Sequence, residues 1–371
     1  MTTWMQYAYF IFFVSCIVQL FFFLFFFIRL ALHNAKKTQD IISSEPVSVI
    51  IAAHNELENL KNLLPALLAQ KYNNFEILIA DDRSTDGSEQ YFKSMYKNEP
   101  KLKWIRIDQT PTGINSKKYA LMQAISYSSY NILLFTDADC IPASSNWISM
   151  MASAINDHIS LVLGYSPYKK TKGFLNQLIR YETFYTAVQY FSFALAGIPY
   201  MGVGRNLAYT KHLYGSHDGF QNHKHITGGD DDLFVRDHAN FYNTTIVVHP
   251  DAHVYSIPKT NYYSWLQQKI RHVSVSIYYK PLLKFLLGLL YSSHILFYLS
   301  FTSVLILVDP FIYFLFAVRT LVFILIFVII AKKISERFHW MVMLYADVFF
   351  VFNHMVVVML SLLRRKKDKW I

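Results

Sequence analysis

Hydrophobic and polar positions alternate in two different ways along the chain. Between residues 46 and 280, short apolar runs are separated by stretches in which apolar residues recur at helical spacing. Because the runs are almost continuously apolar and alternate with amphipathic stretches, the pattern predicts an α/β domain with a mainly parallel sheet covered by helices on both faces. The predicted strands are 47–53, 75–80, 102–107 and 131–136, and the predicted helices are 56–70, 86–97 and 116–128.

The two ends of the chain consist instead of long apolar runs. Residues 5–28 carry no charge and are long enough to cross a bilayer. No basic residue precedes this run and no small-residue cleavage site follows it, so residues 1–30 are interpreted as an anchor and not as a cleaved signal peptide. A second apolar block, 282–363, predicts transmembrane or interfacial segments at 285–308, 311–331 and 340–363, followed by a basic tail at 364–371.

The formal net charge of +10 is concentrated beside these apolar runs. Such flanking charges usually set membrane topology and contact anionic lipid, so membrane lipid is the expected partner and nucleic acid is not. The positive-inside rule then places residues 29–284 in the cytoplasm. The charges concerned are Arg29, Lys36, Lys37, Lys332, Lys333, Arg337 and the "RRKKDK" run at 364–369.

The last apolar segment, 340–363, conflicts with a simple crossing. A third crossing after the central domain would place the basic tail outside, against the positive-inside rule. The segment also contains Asp347, Asn353 and His354, which are costly in lipid. We therefore expect it to lie along the interface or to re-enter, which leaves the tail in the cytoplasm.

Polar residues follow three of the predicted strands at their carboxyl ends, where parallel sheets bind ligands. They are "HNE" at 54–56, "DDRSTDGS" at 81–88 and "DADC" at 137–140. Asp137 and Asp139 are one residue apart in an extended segment, so both carboxylates can face the same side. Two like charges held close favour a bound cation, although an acidic turn that ends the strand is the alternative.

An ordered set of motifs resembles one family. "PVSVIIAAHNELENL", "FEILIADDRSTDGS", "SKKYAL", "FTDADC", "GGDDDLFVR" and "QQKIRH" follow one another as they do in membrane-anchored family-2 glycosyltransferases. These are inverting enzymes with the GT-A fold that use nucleotide sugars, and they include cellulose, hyaluronan and chitin synthases and ceramide glucosyltransferase. The resemblance covers residues 46–280 and implies a Rossmann-like, nucleotide-sugar-binding mixed sheet. Residues 173–197 are aromatic and sparsely charged and are interpreted as an interfacial helix, with a core helix as the alternative. A further interfacial helix is expected near 262–279.

The resemblance implies a donor site on the strand ends. Asp82 matches the residue that contacts the uracil ring, and Lys117 matches the lysine of "GKxxAL", with Lys118 as a rival for a phosphate contact. Asp139 matches the main metal ligand and Asp137 its support. Carboxylate oxygens suit Mn²⁺ or Mg²⁺, which would neutralise a departing diphosphate. The nucleotide contacts also include His54, Asn55 and Glu56.

The resemblance also implies a general base in "TGGDDDLFVR". Counting back from Leu233 gives Asp230, while Gly229 stands where an acid usually precedes the base, so Asp231 stays possible. Acids that stabilise the first turn of a helix are the alternative.

On the acceptor side, "QQKIRH" resembles the "QxxRW" motif that closes the active site of processive synthases. Gln268 and Arg271 match it, and Arg271 could stabilise the departing diphosphate. His272 replaces the tryptophan, with Trp265 nearby. An amphipathic helix on the lipid headgroups is a compatible alternative. The segment "GVGRNLAY" supplies Arg205 and Asn206 as further acceptor-side candidates.

Together these features predict a membrane-bound, metal-dependent inverting glycosyltransferase of cell-envelope polysaccharide biosynthesis. We expect it in a bacterial inner membrane, transferring sugar from a UDP-sugar to a lipid-linked or polysaccharide acceptor at the cytoplasmic face. A processive synthase that secretes its polymer and a catalytically silent membrane subunit with the same fold are the alternatives. His272 disfavours the first, and the retained acids and Arg271 disfavour the second.

Overall fold

The computed structural model describes residues 3–34, 44–216, 218–305 and 309–363. The predicted charges at Lys36, Lys37 and 364–369 lie outside these ranges. The described residues divide into two compact units. We call residues of Asn34–Thr171 and Gly197–Lys259 the sheet unit, and residues of Met1–His33, Lys172–Ala196 and Thr260–Arg365 the helical unit.

The strands lie in the sheet unit. The predicted strands 47–53 and 102–107 are confirmed, the second predicted strand extends through Asp82, and the fourth is confined to 132–135. The strands are β1 (Val47–Ala53), β2 (Phe75–Asp82), β3 (Leu102–Ile107), β4 (Ile132–Phe135), β5 (Cys140–Pro142), β6 (Leu161–Gly164), β7 (Leu207–Thr210), β8 (Thr244–Val247) and β9 (Val254–Ser256).

The α-helices are distributed over both units, and a π-helix, Phe22–Phe27, joins the first two. They are α1 (Thr3–Phe21), α2 (Ile28–Leu32), α3 (Leu57–Leu68), α4 (Ser88–Met95), α5 (Ser116–Tyr127), α6 (Trp147–Ala152), α7 (Phe174–Leu195), α8 (Lys211–Ser216), α9 (Asp232–His238), α10 (Tyr262–Ser274), α11 (Pro281–Val304), α12 (Pro310–Lys333) and α13 (Trp340–Leu363). Short 3-10 helices span Gly204–Asn206, Gln221–His223, Pro250–Ala252 and Val275–Tyr278.

The main sheet has seven strands in the order β3-β2-β1-β4-β7-β6-β8. Strands β1 to β4 are mutually parallel, β7 is antiparallel to β4 and β6, and β8 is parallel to β6. This mixed, mainly parallel topology confirms the predicted fold class. Because β1, β2 and β4 are parallel neighbours, the loops that follow them emerge at one edge of the sheet.

Helix α3 shows how the sheet is covered. Leu60, Leu63, Leu64 and Leu67 recur at helical spacing on one face, and all four are buried in the same core as β1 and β2. Burial of each such side chain stabilises the fold by roughly 1.5–3 kcal/mol before the cost of ordering the chain is subtracted. The helix begins where the carboxylate of Asp86 accepts a hydrogen bond from the Leu57 amide at 2.7 Å.

Four helical spans in the described part of the chain are long and apolar enough to cross a membrane. Helices α1 and α11 pack antiparallel, since Phe12 stacks on Phe297 at 5.3 Å and Gln19 donates to the Ser293 carbonyl at 3.0 Å. Helices α11 and α12 each begin with proline, whose missing N–H costs nothing at that position. The four spans are Thr3–Leu32, Pro281–Val304, Pro310–Lys333 and Trp340–Leu363.

Several polar residues of these helices form one buried network of hydrogen bonds. Arg319 of α12 donates to Asp347 of α13 at 3.3 Å and to Gln19 of α1 at 2.6 Å. Tyr298 of α11 donates to the same aspartate at 2.6 Å. Such pairing removes much of the cost of Asp347 in an apolar surrounding, so this residue no longer argues against a crossing. The interfacial placement of 340–363 stays a prediction.

Candidate active site

The acid pair lies immediately after β4, at the edge where the parallel strands end. Oxygen atoms of Asp137 and Asp139 and the Cys140 sulfur all lie within 4.8 Å of one another. Burial raises the pKa of Asp139, and the neighbouring charge of Asp137 raises it further. The pair is thus an electrostatically unfavourable arrangement that a cation would relieve.

The donor atoms of this cluster fit a hard divalent cation held by two carboxylates. Burial raises the pKa of the Cys140 thiol well above its usual value, and its sulfur donates to Asp139 Oδ1 at 3.4 Å. Thiol sulfur is a soft ligand that the hard ions Mg²⁺ and Mn²⁺ seldom take, and its contact with Asp139 lets Cys140 orient the carboxylate. Mg²⁺ and Mn²⁺ commonly take one or two protein carboxylates and complete their coordination with phosphate oxygens and water. The predicted metal therefore suits Asp137 and Asp139.

Lys117, in the first turn of α5, joins this pair to a second acidic segment. Its ammonium lies 3.0 Å from Asp137 Oδ1 and 3.0 Å from Asp230 Oδ2. Burial would lower the pKa of Lys117, but the surrounding carboxylates outweigh it and raise the pKa. The lysine is consequently a fixed positive charge between two acids that are far apart in sequence.

The second acidic segment enters α9 through two glycines. Gly228 and Gly229 have φ values of 77° and 71°, which L-residues with a side chain rarely adopt. Asp231 is the N-cap of α9 and accepts from the Asp232 amide at 2.8 Å and from the Gly204 amide at 2.8 Å. The alternative interpretation of the sequence, in which these acids stabilise the first turn of a helix, therefore applies to Asp231.

Asp230 and Asp231 differ in charge environment. Burial favours the neutral form of Asp230, but the Lys117 ammonium outweighs it and lowers the pKa of this carboxyl. Burial and the neighbouring Asp230 charge raise the pKa of Asp231 to about 6. Asp230 is accordingly ionised over a wider pH range than Asp231, and it also faces the acid pair through Lys117.

Lys118 turns away from the acid pair. Its side chain is fully buried, and its ammonium donates to the carbonyls of His223 at 2.6 Å and Ile226 at 2.9 Å. Of the two lysines considered for a phosphate contact, only Lys117 lies against the acid pair.

The predicted nucleotide contacts lie at the ends of β1 and β2. The His54 ring nitrogen Nδ1 lies 2.5 Å from the Asp82 carbonyl, and the Asp82 carboxylate is buried and held by Arg83 at 2.9 and 3.2 Å. Asn55 has a φ of 56°, and its side chain accepts from the Thr85 amide at 2.8 Å. The two loops are therefore tied together.

Glu56 lies close enough to the acid pair for the charges of Asp137 and Asp139 to affect it. Burial raises the pKa of Glu56, and so do the charges of Asp139 and Asp137, although a hydrogen bond from Asn59 opposes this. Asp86 accepts from the first amides of both α3 and α4, at 2.7 and 3.1 Å, so its carboxylate satisfies a donor at the start of each helix.

Arg205 and Asn206 have different surroundings. The Arg205 guanidinium lies 4.8 Å from the centre of the Tyr168 ring. The charges of Asp139 and Asp137 help to raise its pKa against the effect of burial. Asn206 is fully buried, donates to the Tyr165 and Ala252 carbonyls at 2.8 Å each, and accepts from Trp147 at 2.9 Å. Its side chain therefore links three buried segments of the fold.

The remaining predicted residues lie on α10, in the helical unit. Trp265 is buried, and its indole nitrogen and the Gln268 side-chain oxygen have no hydrogen-bond partner in the described part of the chain. Arg271 and His272 occupy the last turn of the same helix. They belong to a different compact unit from the acid pair.

Sequence reasoning missed the roles of Gly204 and Arg83. The Gly204 amide donates to Asp231 Oδ2 at 2.8 Å and so helps to hold this carboxylate. Arg83 follows Asp82 directly, and their pairing could have been expected from the opposite charges alone.

Comparison with known proteins finds similarity to one family over part of the chain. Residues 48–208 match the family model described as "Glycosyl transferase family 2". Glycosyltransferase AglE of Haloferax volcanii is 30% identical over 112 residues, which are 30% of this chain and 35% of that protein. A poly-beta-1,6-N-acetyl-D-glucosamine synthase of Staphylococcus aureus is 31% identical over 119 residues, which are 32% of this chain and 28% of the relative. The match thus spans about a third of the length of these relatives.

A solved structure supports the fold over the whole chain. The mannosyltransferase PcManGT from Pyrobaculum calidifontis, in complex with GDP-Man and Mn²⁺, aligns with a TM-score of 0.62 and 15% sequence identity. The alignment covers 98% of this chain and 99% of that chain. The likeness confirms the GT-A type of fold expected from the motifs, and at this identity it carries no information on substrate.

Proposed function

We propose that this chain, whose residues 48–208 match the model of glycosyltransferase family 2, transfers a sugar from a nucleotide sugar to a lipid-linked or polysaccharide acceptor, with inversion. The donor is a UDP-sugar and the reaction takes place at the cytoplasmic face of a membrane. The observation that carries the proposal is the position of Lys117, 3.0 Å from Asp137 and 3.0 Å from Asp230.

This position supports a two-sided site. Asp139 and Asp137 would hold Mn²⁺ or Mg²⁺, and the ion when bound would neutralise the charge of the leaving diphosphate. On the other side, Asp230 accepts the proton of the acceptor hydroxyl as its oxygen forms the bond to the anomeric carbon. The bond from that carbon to the diphosphate breaks, and the nucleoside diphosphate departs with the electron pair. The lowered pKa of Asp230 keeps it ionised for this task.

The remaining predicted contacts complete the proposal. His54, Asn55, Glu56 and Asp82 lie at the strand ends where the nucleotide would bind. Arg271 and Gln268 of α10 would stabilise the departing diphosphate, as the motif resemblance implies. Arg205, Trp265 and His272 are proposed for the acceptor side. The polymer named for the S. aureus relative supports a polysaccharide acceptor, and the four apolar spans support delivery of the acceptor from the membrane.

Calorimetry with the detergent-purified full chain tests the donor half. UDP is titrated with Mn²⁺ and again with EDTA, against wild type and Asp139→Asn. The matched control is Asp157→Asn, which alters an exposed aspartate of the same unit. We expect UDP binding that requires metal, weakens by about tenfold or more in Asp139→Asn and is retained in Asp157→Asn.

GDP is titrated in parallel, because the structural neighbour binds GDP-Man. Metal-dependent binding of GDP in place of UDP would show that the donor is a GDP-sugar, bound at the same proposed site. The absence of binding by either nucleotide to the wild type would contradict the proposed function.

A further inference from the structure

The two consecutive lysines of α5 serve two different segments. Lys117 contacts carboxylates, whereas the ammonium of Lys118 is bound by two backbone carbonyls, those of His223 and Ile226. Burial lowers the pKa of Lys118 to about 8, while the charges of Asp230 and Asp231 act in the opposite direction. A completely buried lysine is unusual in a protein unless it is paired. The two carbonyls that Lys118 contacts are therefore expected to be structurally important.

The segment that Lys118 binds is attached to α5 at a further point. The amide of Asn115, the N-cap of α5, donates to the Lys224 carbonyl at 2.7 Å. We call residues 223–226 the docked segment. Three of its four carbonyls, those of His223, Lys224 and Ile226, are thus held by the beginning of α5.

Little chain separates the docked segment from the acids. Thr227, Gly228 and Gly229 lie between Ile226 and Asp230. Both glycines have positive φ, and glycine has the widest choice of backbone conformations. Two consecutive glycines do not fix the position of Asp230 by themselves, so this position depends on the anchored residues that flank them. On the far side, the Gly204 amide holds Asp231 at 2.8 Å.

We infer that Lys118 is a positioning residue: by binding the His223 and Ile226 carbonyls it fixes the docked segment, and thereby the approach of Asp230 to Lys117 and the acid pair. The inference rests on the proposed function, in which Asp230 takes the proton of the acceptor. Lys118 itself touches neither substrate nor metal in this account.

The test compares Lys118→Met, Lys118→Arg and the control Lys224→Met in the full chain in detergent. Methionine keeps the length and apolar stem of lysine but cannot donate to the carbonyls. Lys224 belongs to the docked segment, yet its ammonium contacts the exposed Gln221 side chain at 2.9 Å. Each variant is measured for transfer kinetics, for UDP binding with Mn²⁺ and for amide hydrogen exchange of residues 220–231.

We expect Lys118→Met to lower kcat by about 10- to 100-fold, because a displacement of about 1 Å at the reacting groups has effects of this size. The KM for the donor and the affinity for UDP stay close to the wild-type values. Exchange rises in residues 223–231, Lys118→Arg recovers part of kcat, and Lys224→Met resembles the wild type.

Three results would overturn the inference. They are unchanged kcat in Lys118→Met, an equal loss of UDP affinity and of kcat, and unchanged exchange in residues 223–231. If the wild type transfers no sugar, the proposed function has failed, while the exchange measurement still decides whether Lys118 holds the segment. If Lys118→Met does not fold, Lys118→Gln decides, because its shorter side chain cannot reach both carbonyls: wild-type kcat together with wild-type exchange in this variant would overturn the inference.

Discussion

The ammonium of Lys117 lies 3.0 Å from Asp230, although 112 residues separate them in the sequence and they belong to different elements. The same nitrogen lies 3.0 Å from Asp137. One positive charge therefore compensates a carboxylate of the proposed donor side and the carboxylate proposed as base. In the described part of the sheet unit, no predicted site residue is better placed to connect the two.

Removal of this charge leaves two carboxylates without their partner. We expect Lys117→Met to lower kcat/KM by about 100-fold, because electrostatic groups aimed at a reacting centre have effects of this order. Lys117→Arg keeps the charge but changes its shape, so it should retain more activity than the methionine variant. Steady-state kinetics with donor and acceptor varied separately measure both effects. Equal activity of Lys117→Met and the wild type would contradict the proposed role of Lys117 between Asp137 and Asp230.

The pH dependence of transfer distinguishes the two candidate bases. A base acts in its ionised form, and the pKa of Asp230 is lowered whereas that of Asp231 is raised to about 6. If Asp230 is the base, it stays ionised as the pH falls through 6, so kcat/KM should be constant from about pH 8 to about pH 5. Initial rates across this range measure it. A decline centred near pH 6 would instead indicate Asp231.

The sequence predicted well which polar residues lie at the carboxyl ends of the parallel strands. Parallel strands place their carboxyl ends together, so Asp137, Asp139 and the "HNE" segment could be assigned to one place from hydrophobic patterning alone. The same patterning located the four apolar spans within a few residues. These are local properties, which depend on the period of the side chains and on length.

The contacts that complete the site depend on tertiary structure. The choice between Lys117 and Lys118 follows from a rotation of about 100° between successive residues of a helix, and neither residue type nor spacing reveals which one faces the acids. Asn206 is an acceptor-side candidate in the sequence because "GVGRNLAY" resembles an acceptor segment. Its three partners come from remote parts of the sequence, so its burial could not be foreseen.

Asn206 should therefore contribute to the stability of the folded protein. Asn206→Ala leaves the Tyr165 and Ala252 carbonyls and the Trp147 indole nitrogen without their partner in a buried place. We expect a loss of about 3 kcal/mol in the free energy of unfolding and a Tm lowered by about 6–12 °C. Thermal unfolding of the variant is compared with Asn98→Ala, at an exposed position. A variant of normal Tm that has lost activity selectively would restore Asn206 as a substrate contact.

The ion pair of the helical unit should behave as a coupled pair. Arg319→Met and Asp347→Leu each leave one buried charge unpaired, so each should destabilise the protein by about 3–5 kcal/mol. The double variant removes both charges and should cost less than the sum of the single variants by about 2 kcal/mol or more. Unfolding in detergent, measured as a double-mutant cycle, tests this. Strictly additive effects would show that the pair contributes no coupling.

The division of the site into a donor half and a base is tested most directly by the Asp230→Asn variant. The measurement combines transfer of labelled sugar to membrane acceptors with binding of UDP in the presence of Mn²⁺, and Asp232→Asn is the neighbouring control. We predict that Asp230→Asn binds UDP as the wild type does but loses transfer by about 100-fold or more, while Asp232→Asn transfers at a rate within about threefold of the wild type. Transfer by Asp230→Asn at the wild-type rate would contradict the assignment of Asp230 as the base.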